Sequence, residues 1–182
     1  MDSKLQKTLF IAMLASQAVV ISLVERTIPT PFAFAPGAKL GLGNLITIIA
    51  LFTLSQKDCL KVIGLRLLLS TFLGGTFSTF LYGFAGVTFS FIIMSLIKKL
   101  GPRRVSVVGI SILGGIMHNI GQLTVFALIS RSLLVLNYLP ILSFSGILSG
   151  FFVGITGNYL LVKIAPLQQL HKQLLDGWKL QK

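Results

Sequence analysis

Carboxylates are scarce in this chain. Its 182 residues hold four, Asp2, Glu25, Asp58 and Asp176, and no two lie close together in sequence. That scarcity excludes chemistry built on paired acids. A diphosphate-handling prenyl synthase of the usual kind holds Mg²⁺ on aspartate-rich motifs, and none is present. Cysteine is equally rare: Cys59 is the only one. No disulfide and no cysteine-based metal site can form within one chain. Two histidines, His118 and His171, are too few for a histidine-based metal cluster. There is no Walker A loop, so the chain does not itself hydrolyse ATP. These absences predict a protein that is not a stand-alone enzyme and that carries no metal and no cofactor.

Charge of either sign is sparse, at 11% of residues, whereas 54% are hydrophobic. Soluble domains carry about 25% charged residues. Long apolar runs leave an integral membrane protein as the class, all-α and of one domain, 1–182. The net charge of +12 raises nucleic acid as a partner, but its distribution answers otherwise. Thirteen basic residues (Lys4, Lys7, Lys57, Lys61, Arg66, Lys98, Lys99, Arg103, Arg104, Lys163, Lys172, Lys179, Lys182) lie in or beside alternate polar segments, and three (Arg26, Lys39, Arg131) in the others. The positive-inside rule turns that bias into a topology with both termini cytoplasmic, and no nucleic acid is needed to account for it.

Six transmembrane helices are expected, at about 8–25, 39–55, 59–80, 83–98, 105–130 and 141–164. A cytoplasmic interfacial tail is expected at 165–182. The first run is read as a retained helix rather than a signal peptide, because Glu25-Arg26 interrupts it. Ala12, Ala15, Ser16 and Val19 share one face of it. The proline-rich segment 26–38 forbids regular helix, yet Phe32 and Phe34 make it too apolar for a solvated loop, so it should fold over a cavity mouth. Arg66 is expected to snorkel to the cytoplasmic interface. A tight turn at Tyr82-Gly83 should join helices 3 and 4. Gly146, Gly150, Gly154 and Gly157 form a helix-packing row in helix 6.

The candidate site begins with an anomaly in helix 5. Ser111, Gly115, His118, Asn119 and Gln122 fall on one helical face, with Leu113, Ile116 and Val125, and Thr124, opposite. A membrane helix hides such a stripe from lipid, so it should face a bundle interior or a cavity. Asn44 and Thr47 of helix 2 and Asn158 of helix 6 join it in this reading. Lys39, at the outer end of helix 2, should stand above the same cavity. The outer side carries Arg26, Lys39 and Arg131 against Glu25, a field that favours an anionic small molecule. The predicted substrate-binding residues are Lys39, Asn44, His118, Asn119 and Gln122.

Two stretches carry a family resemblance. Pro36-Gly37-Ala38-Lys39-Leu40-Gly41-Leu42-Gly43-Asn44 and Gly115-Ile116-Met117-His118-Asn119-Ile120-Gly121-Gln122-Leu123 resemble the signature blocks of the Gx transporter family. That family is also called heptaprenyl diphosphate synthase component I. It is regarded as similar to the substrate-binding S components of energy-coupling factor (ECF) importers, and some members are associated with flavin- and quinone-linked extracellular electron transfer. The resemblance implies a six-helix S-component bundle in a bacterial cytoplasmic membrane, with a ligand site near the outer face. It also implies a coupling protein with two ATPases as partners. S components usually meet that protein through small residues of helix 1 spaced Ala-x3-Ala; here the spacing is Ala12-x3-Ser16, with Ala15 beside it.

The expected function is therefore the substrate-binding subunit of an ECF-like importer, in contact with membrane lipid and with a vitamin-like or other small molecule. The alternative is an accessory protein of isoprenoid quinone metabolism or electron transfer, partnered by redox or prenyl synthase proteins.

Overall fold

The structure is a computed structural model that describes residues 4–27 and 41–174, with side chains as far as 170. All of its regular elements are helices: α1 (Lys4–Thr27), α2 (Asn44–Thr53), α3 (Gln56–Phe72), α4 (Phe77–Lys98), α5 (Val107–Ser130), α6 (Leu139–Lys163) and α7 (Ala165–Leu174). A 3₁₀ turn, Leu133–Tyr138, leads into α6. Four stretches, α1, α4, α5 and the 3₁₀ turn continued into α6, are long and apolar enough to cross a membrane. Phe72, Phe77, Leu133, Leu134 and Phe152 are all strongly exposed on the outside of the bundle. Side chains of that kind on a helix surface suit lipid rather than water.

α2 departs most from the six-span expectation. Ten residues rise about 15 Å, half the hydrocarbon thickness of a bilayer. It has no need to span, because it lies inside the bundle, against α1, α3, α4, α5, α6 and α7. Every α2 residue except Leu45 is buried, as befits a helix that is apolar all round. Residues 41–43 do not extend it, because Gly41 adopts the left-handed conformation at φ +84° and turns the chain. Lys98 closes the other end of α2. Its Nζ donates to the Leu51 carbonyl at 2.5 Å and lies 4.9 Å above the centre of the Phe52 ring.

The expected Tyr82-Gly83 turn is not there. α3 stops at Phe72, before Gly74 and Gly75, and α4 starts six residues before Gly83. Thr76 and Thr79 form a reciprocal capping box that starts α4, and this local chemistry outweighs the single glycine further on. Gly83 instead serves packing, since a Cβ there would meet the Leu67 side chain at 3.3 Å.

α5 sits between α4 and α6, and glycine makes both contacts close. A Cβ on Gly121 would lie 2.6 Å from the Ala85 carbonyl oxygen of α4. On the other side, Gly115 and Gly146 face one another backbone to backbone, Gly150 meets Ile112, and Gly154 meets Val108. The glycine row of α6 is thus a packing seam. The two flanks press the polar stripe of α5 inward: Ser111, His118, Asn119 and Gln122 are all buried, while Leu113 is exposed.

One end of the bundle is basic. Asp58, in the first turn of α3, forms ion pairs with Lys7 of α1 at 2.5 Å and with Lys61 at 2.9 Å. Its carboxyl is held well below the usual carboxylate range, first by Lys7, then by the Ser55 hydroxyl and Lys61. Residues 175–182 of the expected tail lie outside the described residues.

Candidate functional site

Away from the basic end, the last turns of α1 meet the start of α2, the middle of α3, the first half of α4 and the middle of α5. Glu25 is the hinge of this meeting. It is buried, and its Oε1 accepts from the backbone N–H groups of Gly41 at 2.5 Å and Leu42 at 3.2 Å. One carboxylate oxygen therefore ties the end of α1 to the turn that precedes α2. Gly41 has to be glycine on two counts. Its φ is positive, and a Cβ would lie 3.2 Å from Asn44 Nδ2 and 3.3 Å from His118 Cδ2.

Arg66 comes up from α3. It lies ten residues beyond the start of that helix, about 15 Å along the axis, too deep to reach the basic interface. The snorkelling expected of it is therefore wrong. The side chain is 7% exposed and turns inward, against the backbone of Gly43. A Cβ on Gly43 would lie 2.7 Å from Arg66 Nη1 and 3.1 Å from Ser22 Oγ. Arg66 Nη1 has no hydrogen-bond partner among the described residues. Arg26, at the rim, donates from Nη2 to the Ser70 carbonyl at 2.6 Å.

α5 supplies His118 and Gln122, one turn apart, with their Nε2 atoms 2.9 Å from each other. Gly86 of α4 makes room for the imidazole, because a Cβ there would sit 2.9 Å from His118 Cε1. Ser22, Glu25, Gly41, Arg66 and His118, with Ser70 and Thr79 among others, line an enclosed cavity of about 20 Å³. That is room for about one water molecule. A substrate-sized molecule does not fit in that volume.

The predicted site residues thus separate. His118 faces the cavity, Gln122 bonds it from one turn above, and Asn44 stands beside them at Gly41. Asn119 turns the other way and donates from Nδ2 to the Leu142 carbonyl of α6 at 2.7 Å. Lys39, Phe32 and Phe34 lie outside the described residues. Asn158 belongs elsewhere: the glycine seam sets Gly154 level with Val108 at the start of α5, and Asn158 lies a turn further from His118. Sequence reasoning missed Arg66 and the role of Glu25. The depth of Arg66 within an apolar helix was the available signal for the first. Nothing in sequence pairs Glu25 with Gly41 and Leu42 across sixteen residues.

A family model described as heptaprenyl diphosphate synthase component I matches residues 14–160, from the first half of α1 to the last turn of α6. No curated protein and no solved structure matches the chain.

Proposed function

The chain belongs to the heptaprenyl diphosphate synthase component I family, and from that premise we propose that it is the substrate-binding membrane subunit of an energy-coupled importer, without catalysis of its own. One observation carries the reading. Buried polar groups from three helices, Ser22 and Glu25 of α1, Arg66 and Ser70 of α3 and His118 of α5, converge on one enclosed cavity inside an otherwise apolar bundle. Polar groups placed that way in a membrane bundle serve a ligand or an ion path. The Glu25 tie to Gly41 and Leu42 supplies a closable wall. The basic end faces the cytoplasm in this proposal, so the cavity lies toward the outer side. A partner surface is also at hand: Ala12 and Ser16 are exposed along α1, whereas Ala15 and Val19 are buried. Small exposed residues allow another membrane helix to approach closely.

The test is gentle purification from a native membrane, followed by mass spectrometry of retained small molecules and proteins. A retained small molecule, together with a membrane coupling protein and ATPases, is the expected result. Loss of that molecule on His118→Ala, with the fold intact, would place it at this cavity. The family description favours one other reading, a non-catalytic partner of a prenyl diphosphate synthase. That reading expects the synthase in the same purification and no ATPases.

A further inference from the structure

The charges around the cavity do not balance. Arg66 lines it, and Arg26, bonded to the carbonyl of the lining residue Ser70, has its Nη1 buried and without a partner among the described residues. One carboxylate, Glu25, stands against these two guanidiniums, and its Oε1 is already engaged by two backbone N–H groups. Among the described residues the ion pairs are those of Asp58, so Glu25 and Arg66 are not in ion-pair contact. Glu25 acts on Arg66 through space without direct contact, and a buried guanidinium edge with no hydrogen-bond partner is a costly arrangement.

The position of Arg66 sharpens the point. It lies against Gly43, the cap residue of α2, where the N–H groups of Asn44 and Leu45 donate to the carbonyls of Gly41 and Leu42. The start of a helix carries a partial positive charge and favours anions. A cation set there has the wrong sign, and an anion at its unpartnered edge would offset it.

We propose that Arg66 is the anion-recognising residue of this cavity, and that the ligand presents an oxyanion, a carboxylate or a phosphate, to its unpartnered Nη1 edge. This deepens the importer reading and rests on it. The planar guanidinium matches two oxygens of such a group. The Glu25 carboxylate occupies the Gly41 and Leu42 N–H groups as an internal anion. Release of that tie lifts the turn and enlarges the cavity for the ligand. The oxyanion belongs either to a soluble molecule or to a lipid headgroup, which share this chemistry.

The probe is inorganic phosphate. The delipidated full chain in neutral detergent is melted in phosphate and in chloride at matched ionic strength, as wild type, Arg66→Lys and Arg66→Met. Phosphate is expected to raise the melting temperature of the wild type. Its apparent affinity should fall by about 30-fold or more in the Met variant and less in the Lys variant. In chloride, the Met variant should melt no lower than wild type, because an uncompensated buried charge has been removed. An equal phosphate response in wild type and Met variant overturns the proposal. So does a Met variant that unfolds or melts well below wild type in chloride, since Arg66 would then be structural. Before delipidation, phospholipid held by wild type and lost from the Met variant identifies a headgroup as the source and supports the same site. Co-purification with ATPases is scored separately. If it fails while the phosphate response follows Arg66, the importer reading falls and the anion site stands.

Discussion

Replacing Gly115 with alanine tests the packing that positions the site. A Cβ at this position would lie 2.3 Å from the Gly146 carbonyl oxygen and 3.1 Å from its carbon. An ordinary carbon–oxygen contact is about 3.3–3.6 Å, so α5 and α6 would have to part by about 1 Å. The obstructing atoms are backbone, and no rotamer change relieves them. Overpacking of this kind costs about 1–3 kcal/mol. For a chain of this size each kcal/mol moves the melting temperature by roughly 2–4 °C, so Gly115→Ala should melt roughly 2–12 °C below wild type. Gly64→Ala is the control of opposite sign. It is mid-helix in α3, and a Cβ there meets nothing within 4 Å. Alanine should therefore stabilise by up to about 1 kcal/mol through helix propensity. His118 lies one turn beyond Gly115, so under the proposed function Gly115→Ala should also weaken retention of a small-molecule ligand. The assay is thermal unfolding in detergent, with both variants run beside wild type. A Gly115→Ala protein that melts as high as wild type, while Gly64→Ala rises, would refute the close α5–α6 seam and the placement of the stripe built on it.

Three further outcomes follow from single contacts. Asn119→Ala removes its bond to the Leu142 carbonyl, which keeps its helical donor four residues on, so the loss should cost about 0.5–1.5 kcal/mol in the same melting assay. It should lower ligand retention less than His118→Ala does, because Asn119 faces α6. Gly86→Ala sets a Cβ 2.9 Å from His118 Cε1 and 3.0 Å from its carbonyl oxygen, so the ring is forced aside and α4 is pushed from α5, and both ligand retention and melting temperature should fall. Asp58 gives a pH dependence. Its folded carboxyl is held below the ordinary range, so its stabilising contribution is fully present above the unfolded value of about 4 and is lost as pH falls below it. Melting temperature measured from neutral to acid pH should drop in that window, and Asp58→Asn should flatten the drop.

Much of this was legible in sequence because lipid enforces simple rules. The apolar runs had to be helices, since backbone polar groups in a bilayer have no other partner. The α5 stripe had to face inward for the same reason, and Ser111, His118, Asn119 and Gln122 are all buried. The glycine row of α6 could be read as a seam because its four-residue spacing repeats on one helix face. Boundaries fared worse where competing local signals met, as at Gly74-Gly75-Thr76 against Tyr82-Gly83.

The composition and periodicity of the chain determined its class, its helices and the inward face of α5. Tertiary structure alone decided which inward residues share a cavity. It sent the Asn119 amide to α6 and left His118 facing Gly41. It made α2 an internal helix and gave Glu25 two backbone partners sixteen and seventeen residues away. It also set Arg66 against the start of α2 instead of at the interface. The reason is physical: sequence periodicity specifies the direction in which a side chain leaves its own helix, but its partner depends on the relative height and rotation of other helices, and those are set by packing among all of them.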